Sequence, residues 1–409
     1  MDPFVDDSPR PRNVGILAME VYFPQFYVAQ ADLERYNSVP AGDREDVNSI
    51  ALTCVARLLE KYDIDPKDVG RLEVGTETLV DKSKSTKTVL MTLFEECGNR
   101  NIEGASTINA CYGATAAVLN AIAWVESSAW DGRYAIVVAS DIAVELRAPL
   151  VAVESLDDCY LRFCEKNEKV AKQSTPPCDM NAFDYAVFHS PYNKQVVRSF
   201  SRKWRSVPLE STLTDRELDL TARGLAKDMY AAKVAPSCTT SKQVGNCYTG
   251  AVYINLATLV NAASTQLVDK RILLFSYGSG SIASMFSIRG RVPTNSNAEE
   301  YSAYMDIRQR VYGLRSITPT QSIATLAPGT FYLEGIDAQF HRTYARTEKA
   351  VEATTTSSSI AAVPTQGSSN GSTDKWDRAG AVYVTGVSAG VPGNAVPFDG
   401  QNTLDSLLA

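Results

Sequence analysis

The sequence predicts an α/β protein made of two pseudo-symmetric halves, and three observations carry that reading. Helical and strand patterns alternate along most of the 409 residues, as they do where helices cover a sheet. A helix-then-strand unit occurs twice, each time with Cys-Tyr at its start. The composition, 44% hydrophobic and 21% charged, belongs to a chain that can bury large cores without disulfide or metal staples.

Taken in order, residues 1–13 open with the acidic Met1-Asp-Pro-Phe-Val-Asp-Asp7 and read as a flexible N-terminus. They carry neither the apolar core of a secretory signal nor the arginines of a mitochondrial presequence, so the expected location is cytoplasmic. In residues 47–61, Val47, Ile50, Ala51, Cys54, Val55, Leu58 and Leu59 recur at three- and four-residue steps and predict one amphipathic helix. Short apolar runs at 71–76, 134–139, 183–188 and 272–276 have strand length and are bounded by polar residues or glycine. Asn109-Ala-Cys-Tyr-Gly-Ala-Thr115 opens a small-residue helix that leads into the strand at Ala135. Gly245-Asn-Cys-Tyr-Thr-Gly-Ala251 opens a similar helix leading into Ile272. Helices so poor in long side chains pack closely on both sides, which places both at the centre of the molecule. The expected division is an N-terminal half over 14–180 and a C-terminal half over 181–346. Beyond it, residues 347–409 hold runs such as Thr354-Thr-Thr-Ser-Ser-Ser359 and are expected to be a disordered, low-complexity tail.

Composition also excludes functions. No run of 18 apolar residues occurs, so no membrane insertion is expected. Forty basic against 47 acidic residues leave a net charge of -7, which argues against a general nucleic-acid binder. The eight cysteines include no C-x-x-C pair, and only His189 and His341 could join them, so no metal is expected. The cysteines read as mostly free, buried thiols of a reducing compartment.

The candidate nucleophile is Cys111, because the positive end of a helix favours thiolate over thiol. An ordinary cysteine is a small buried apolar residue, and Cys247 sits at the matching position of the second half, so the residues alone do not choose between them. His189 follows an apolar strand and precedes Pro191, which suits a side chain facing a cleft. His341, flanked by charge, reads as a surface or strand residue. Glu77 lies where a strand gives way to Gly75 and a polar turn. Most such carboxylates are simply solvated, but one partly desolvated beside a cleft can move protons at neutral pH. Lys194 and Arg198, one helical turn apart, could offer two cations to a phosphate or form an ordinary basic face. Gly278-Ser-Gly280 is a tight turn of low specificity.

Several stretches together resemble the eukaryotic 3-hydroxy-3-methylglutaryl-coenzyme A (HMG-CoA) synthase family of the thiolase superfamily. They are Val14-Gly-Ile-Leu-Ala-Met-Glu-Val-Tyr-Phe-Pro24, Asp43-Arg-Glu-Asp-Val-Asn-Ser49, Gly75-Thr-Glu-Thr-Leu-Val-Asp-Lys-Ser-Lys84, Asn109-Ala-Cys-Tyr-Gly113, Phe188-His-Ser-Pro-Tyr192, Gly245-Asn246 and Phe275-Ser-Tyr-Gly-Ser-Gly280. The resemblance implies a five-layered α-β-α-β-α fold and a homodimer. It assigns Cys111 as the acyl acceptor, Glu77 as general acid/base and His189 as the histidine that polarises acetoacetyl-CoA. It also makes Ala41, Lys194, Arg198, Asn246 and Ser279 contacts to coenzyme A or the acyl group. The implied reaction condenses acetyl-CoA with acetoacetyl-CoA on the way to mevalonate, sterols and isoprenoids, with no cofactor beyond these thioester substrates.

The resemblance is interrupted twice. About 15 family residues have no counterpart between Gly42 and Asp43. After Asp141-Ile-Ala-Val the family's loop and one strand of the N-terminal half are replaced by Glu145-Leu-Arg-Ala-Pro-Leu-Val, where Ala148–Val153 is the candidate substitute strand. The alternative to a working synthase is therefore an impaired, noncatalytic protein on the same scaffold. A ketoacyl synthase or thiolase generally wants further His, Lys or Cys partners, and this chain has only two histidines.

Overall fold

A computed structural model describes residues 11, 14–23, 26–27, 44–142, 151–170, 179–191, 193–204, 215–280, 282–291, 315–316, 326–337, 341–349 and 381–385. In chain order, up to residue 142 the described elements are β1 (Gly15–Glu20), β2 (Phe26–Tyr27), α1 (Val47–Lys61), β3 (Val69–Gly75), α2 (Thr86–Leu90), β4 (Ser106–Thr107), α3 (Gly113–Val125) and β5 (Tyr134–Ala139). From residue 151 they are α4 (Val151–Val170), β6 (Tyr185–Phe188), α5 (Asn193–Lys203), α6 (Asp215–Lys233), α7 (Thr239–Val244), α8 (Ala251–Ala263), β7 (Arg271–Gly278) and β8 (Ile282–Arg289). Helix α4, expected with the N-terminal half over 14–180, packs instead on β7 and β8. Strand β9 (Arg315–Ser316) pairs with β2, β10 (Phe331–Ile336) pairs with β11 (Arg342–Arg346), and the last strand is β12 (Ala381–Thr385).

Helix α1 occupies the span its apolar stripe predicts. Asp46 caps it, accepting from the amides of Asn48 and Ser49, while Ser49 Oγ accepts the Asp46 amide in return. That reciprocal cap satisfies donors the first turn would otherwise leave unpaired. The β10–β11 hairpin lies over the same end: Arg342 and the Tyr344 hydroxyl both donate to Asp46, and the Phe331 amide donates to Thr53.

Alternation along the strands sets the layers. Leu72, Val74, Ile136 and Val138 join Leu52, Val55 and Leu58 of α1 and Val89 and Leu90 of α2 in one core. The opposite face, with Ala135, Val137 and Ala139, packs on Ala114, Ala117 and Ala121 of α3 and on Val252, Leu256 and Leu259 of α8. The second sheet closes that central core with Val187, Ile272 and Leu274. Its far face, with Ala186, Phe188, Leu273 and Phe275, meets Leu156 of α4, Val196 and Phe200 of α5 and Ala226 of α6. The two small-residue helices are thus clamped between the sheets. Each fully buried aliphatic or aromatic side chain there contributes about 1.5–3 kcal/mol, so neither helix can leave without opening the molecule's middle.

The first sheet has the order β1-β12-β5-β3-β4, every neighbour parallel, and the second has β6-β7-β8 with a parallel and then an antiparallel pair. Two expectations change here. The tail is not without structure throughout, because Ala381–Thr385 sits between β1 and β5 as a paired strand. Within the candidate substitute at Ala148–Val153, residues 151–153 are the start of α4 and not strand, and residues 148–150 lie outside the described residues. The tail segment Ala-Val-Tyr-Val-Thr is rich in strand-favouring residues, whereas residues 151–170 carry a helical apolar stripe. Residues 1–10, Ala41 and most of 350–409 lie outside the described residues. Among the described residues no helix is long and apolar enough to cross a membrane.

Candidate active site

The site begins at a strained turn. Ala110 holds φ at 42°, a left-handed conformation that costs a non-glycine residue about 1–3 kcal/mol. The turn closes with Tyr112 N–H on Asn109 O at 3.0 Å and Gly113 N–H on Ala110 O at 3.2 Å. It presents Cys111, 6% exposed, at the start of α3. Among the described residues no side chain makes a cap hydrogen bond to this helix, and its positive end lies beside the sulfur. Two of the amides near Cys111 nevertheless serve the turn itself.

Glycine makes the approach possible. A Cβ on Gly75, at the end of β3, would fall 2.2 Å from the Ala114 nitrogen, and one on Gly278, at the end of β7, would fall 2.7 Å from Tyr112 Cβ. Strands from both halves therefore touch the nucleophile turn where any side chain would collide. Two residues beyond Gly75, Glu77 places Oε2 3.8 Å from Cys111 Sγ, which donates to it.

The backbone of Glu77 is held by Asp141, fully buried just past β5. Its Oδ1 accepts the Glu77 amide at 2.6 Å and the Thr76 hydroxyl at 2.9 Å. Its Oδ2 accepts the Thr249 amide at 2.9 Å and the Thr249 hydroxyl. Burial pushes the Asp141 carboxyl up from its ordinary range, while these four donors pull it back. Asp141 thus ties the Glu77 loop of one half to the start of α8 in the other.

His189 follows β6, as expected, with its amide donating to Phe275 O at 2.8 Å. Asn255 of α8 braces this corner, donating to Phe188 O at 3.0 Å and to Ser190 Oγ at 2.8 Å. Burial lowers the His189 pKa to about 4, so the imidazole is neutral at pH 7. Among the described residues its Nδ1 is buried with no hydrogen-bond partner. The Tyr277 ring lies 6.4 Å from the imidazole, and burial together with the charge of the Cys111 sulfur pushes its phenol up. Tyr277 therefore lies beside the histidine and within electrostatic reach of Cys111.

The second cysteine is different. Cys247 is 1% exposed, and burial alone pushes its thiol up to about 12, so it stays protonated and unreactive. Cys54, Cys97, Cys159 and Cys238 are also free thiols, whereas Cys164 is disulfide-bonded. Lys194 stands exposed on α5, but Arg198 is paired with Asp219 of α6 at 3.4 Å, so the two do not simply offer paired cations. Asn246 precedes α8 and accepts the Tyr248 amide at 2.9 Å, and Ser279 lies at the β7–β8 turn. His341 is exposed and bonded to Asp337. Asp141, Thr249, Asn255 and Tyr277 escaped the sequence reading. Tyr277 carried a signal through its place in Phe275-Ser-Tyr-Gly-Ser-Gly280, and Thr249 through its place in Gly245-Asn-Cys-Tyr-Thr-Gly-Ala251. Among the described residues no three His, Cys, Asp or Glu side chains are grouped to hold a metal ion.

Residues 10–148 match the family described as hydroxymethylglutaryl-coenzyme A synthase N terminal, and residues 150–205, 202–298 and 291–347 match its C-terminal counterpart. Hydroxymethylglutaryl-CoA synthase A of Dictyostelium discoideum is 36% identical over 444 residues, covering 83% of this chain and 92% of the relative. Hydroxymethylglutaryl-CoA synthase 2 of Blattella germanica is 37% identical over 82% of this chain and 99% of its own, and the human cytoplasmic enzyme is 34% identical over 82% and 88%. Among solved structures, MvaS in complex with 3-hydroxy-3-methylglutaryl coenzyme A superposes with a TM-score of 0.67 at 24% identity, over 82% of this chain and 99% of that one. PksG, an HMG-CoA synthase from Bacillus subtilis, gives 0.64 at 19% identity, over 82% and 100%. With both of its halves matched in order, this chain belongs to the hydroxymethylglutaryl-coenzyme A synthase family.

Proposed function

We propose that the chain is a working HMG-CoA synthase of the mevalonate route to isoprenoids, with Cys111, Glu77 and His189 as its catalytic residues. The observation that carries this is the 3.8 Å approach of Cys111 Sγ to Glu77 Oε2 at the N-terminal end of α3. Acetyl-CoA transfers its acetyl group to the Cys111 sulfur and free coenzyme A leaves, a thioester exchange with little net energy change. The Glu77 carboxylate takes a proton from the acetyl methyl group, and the resulting carbon attacks the ketone of acetoacetyl-CoA. Neutral His189 donates a hydrogen bond to that ketone oxygen. The new alkoxide collects the proton Glu77 removed, and water then cleaves the Cys111 thioester to release HMG-CoA.

Lys194, Asn246, Ser279 and Ala41 serve coenzyme A or the acyl group, and Arg198 joins them by exchanging Asp219 for a phosphate. Two related halves in five α-β-α-β-α layers fit the three largest cores among the described residues. Internal segments of the family are missing from this chain. In support, 83% of its residues, about 340, are spread over 444 aligned positions with the Dictyostelium relative. A homodimer completes the reading, together with a cytoplasmic location, for which the human cytoplasmic relative is the support.

The test is peptide mapping after incubation with labelled acetyl-CoA. Label on the Cys111 peptide, chased into HMG-CoA by acetoacetyl-CoA, is the expected result. Label on Cys247, or none at all, would overturn the assignment.

A further inference from the structure

Strand β12 is the last described segment, yet it lies inside the first sheet. It pairs in parallel with β1 through Gly15↔Ala381, Ile16↔Val382, Met19↔Val384 and Glu20↔Thr385. On its other side it pairs with β5 through Val382↔Ala135, Tyr383↔Ile136, Val384↔Val137 and Thr385↔Val138. Among the described residues it is the only strand joining β1 to the rest of the sheet, because β1 has no other strand neighbour. The slot between β1 and β5 is therefore built by residues of the N-terminal half and filled by residues almost 250 positions further along the chain.

The slot adjoins the site. Val138, which pairs with Thr385, is three residues before Asp141. Beyond the pairing, Ser140 N–H donates to Gly75 O at 3.2 Å and Ser140 Oγ to Val47 O at 3.0 Å. The end of β5 thus fixes Asp141, and Asp141 holds the Glu77 amide. A strand inside a parallel sheet, as β5 is, needs partners on both sides to keep its backbone groups paired, so the filling of the slot bears on where Asp141 sits.

From this juxtaposition we infer that the chain's own C-terminal tail is a donor strand: Ala381–Thr385, seated between β1 and β5, completes the first sheet and positions the Asp141–Glu77 segment for condensation. The tail is then a functional part of the enzyme, and β-strand addition is its mode of binding. The inference rests on the catalytic reading for its effect on rate, but the seating of the strand does not depend on it.

In the full-length protein, replacing Val382 and Val384 together (Val382→Pro, Val384→Pro) removes two ladder donors from a two-sided strand. Condensation is expected to fall at least tenfold, and a synthetic peptide of residues 376–390 is expected to restore it in a saturable manner. The same peptide carrying both prolines should not. An Asn394→Pro control, outside the strand, is expected to leave the rate unchanged. Full activity of the double-proline protein would overturn the inference. If that protein does not fold, amide hydrogen exchange of the unaltered chain decides. Protection at residues 382–385 that is independent of protein concentration supports the donor strand. Exchange as fast as in the free peptide, or protection that grows with concentration as a second copy's strand would give, overturns it. Loss of acetyl label at Cys111 in the unaltered chain, with residues 382–385 still protected, would sink the catalytic reading and leave the donor strand standing.

Discussion

Cys111 and Cys247 begin from the same local sequence and end in different chemistry. One sits at a positive-φ turn with a carboxylate 3.8 Å from its sulfur. The other is sealed among apolar neighbours with its thiol raised to about 12. Cys111→Ala is therefore expected to lower turnover by at least ~10³-fold. Cys247→Ala should leave turnover within about twofold and cost about 1 kcal/mol of stability, readable in steady-state assays and urea melts. His189 makes a pH prediction. Its pKa falls from about 6.5 in the unfolded chain to about 4 in the fold, so the unfolded state binds the proton first as pH drops. The stability this group contributes is full above pH 6.5 and is lost as pH falls toward 4, roughly 3 kcal/mol in all. A His189→Gln protein should lack that portion of the acid-side loss in urea midpoints measured from pH 7 to 4. Element boundaries made Cys111, Glu77 and His189 candidates, and the family resemblance chose among the candidates and gave each its proposed role. Asp141 and Asn255 were not legible, because their partners lie 64 to 108 residues away for one and 65 to 67 for the other.

Elements were legible to the degree that they were locally determined. Helix α1 matches its apolar stripe, and α3 with β5 mirrors α8 with β7, as the repeated Cys-Tyr unit predicts. Strand β12 was hidden, since four strand-favouring residues within a Ser- and Thr-rich tail carry no sign of a slot about 250 residues upstream. The close approach of β3 to α3 makes a second prediction. Gly75→Ala would drive its new methyl into the Ala114 backbone, so the strand or the helix must shift. Stability is expected to fall by about 2 kcal/mol or more, and activity by at least tenfold. Asp141→Asn acts at the same junction from the other side, exchanging an acceptor oxygen for a donor that opposes either Thr249 or Glu77. It is expected to lower kcat at least tenfold with little change in the KM for acetyl-CoA, because Asp141 holds Glu77 without itself touching substrate.

At the scale of the whole molecule, two sheets clamp two central helices, and the site forms where their ends meet. Thr115 of α3 donates to Ser276 of β7 at 2.7 Å, Tyr253 of α8 donates to Thr115 at 3.1 Å, and Asp141 joins Glu77 to Thr249. Neither half alone contains both the Cys111–Glu77 pair and His189. Glu77→Gln isolates the proposed division of labour between sulfur and carboxylate. The most direct measurement is a single turnover: acetylate the Glu77→Gln protein with acetyl-CoA, then add acetoacetyl-CoA and follow both the Cys111 thioester and HMG-CoA. The acetyl group should load onto Cys111 and stay there, with condensation slowed by about 10²–10⁴-fold. Condensation at the unaltered rate would contradict a role for Glu77 in proton removal, and with it the geometry on which the proposed reaction stands.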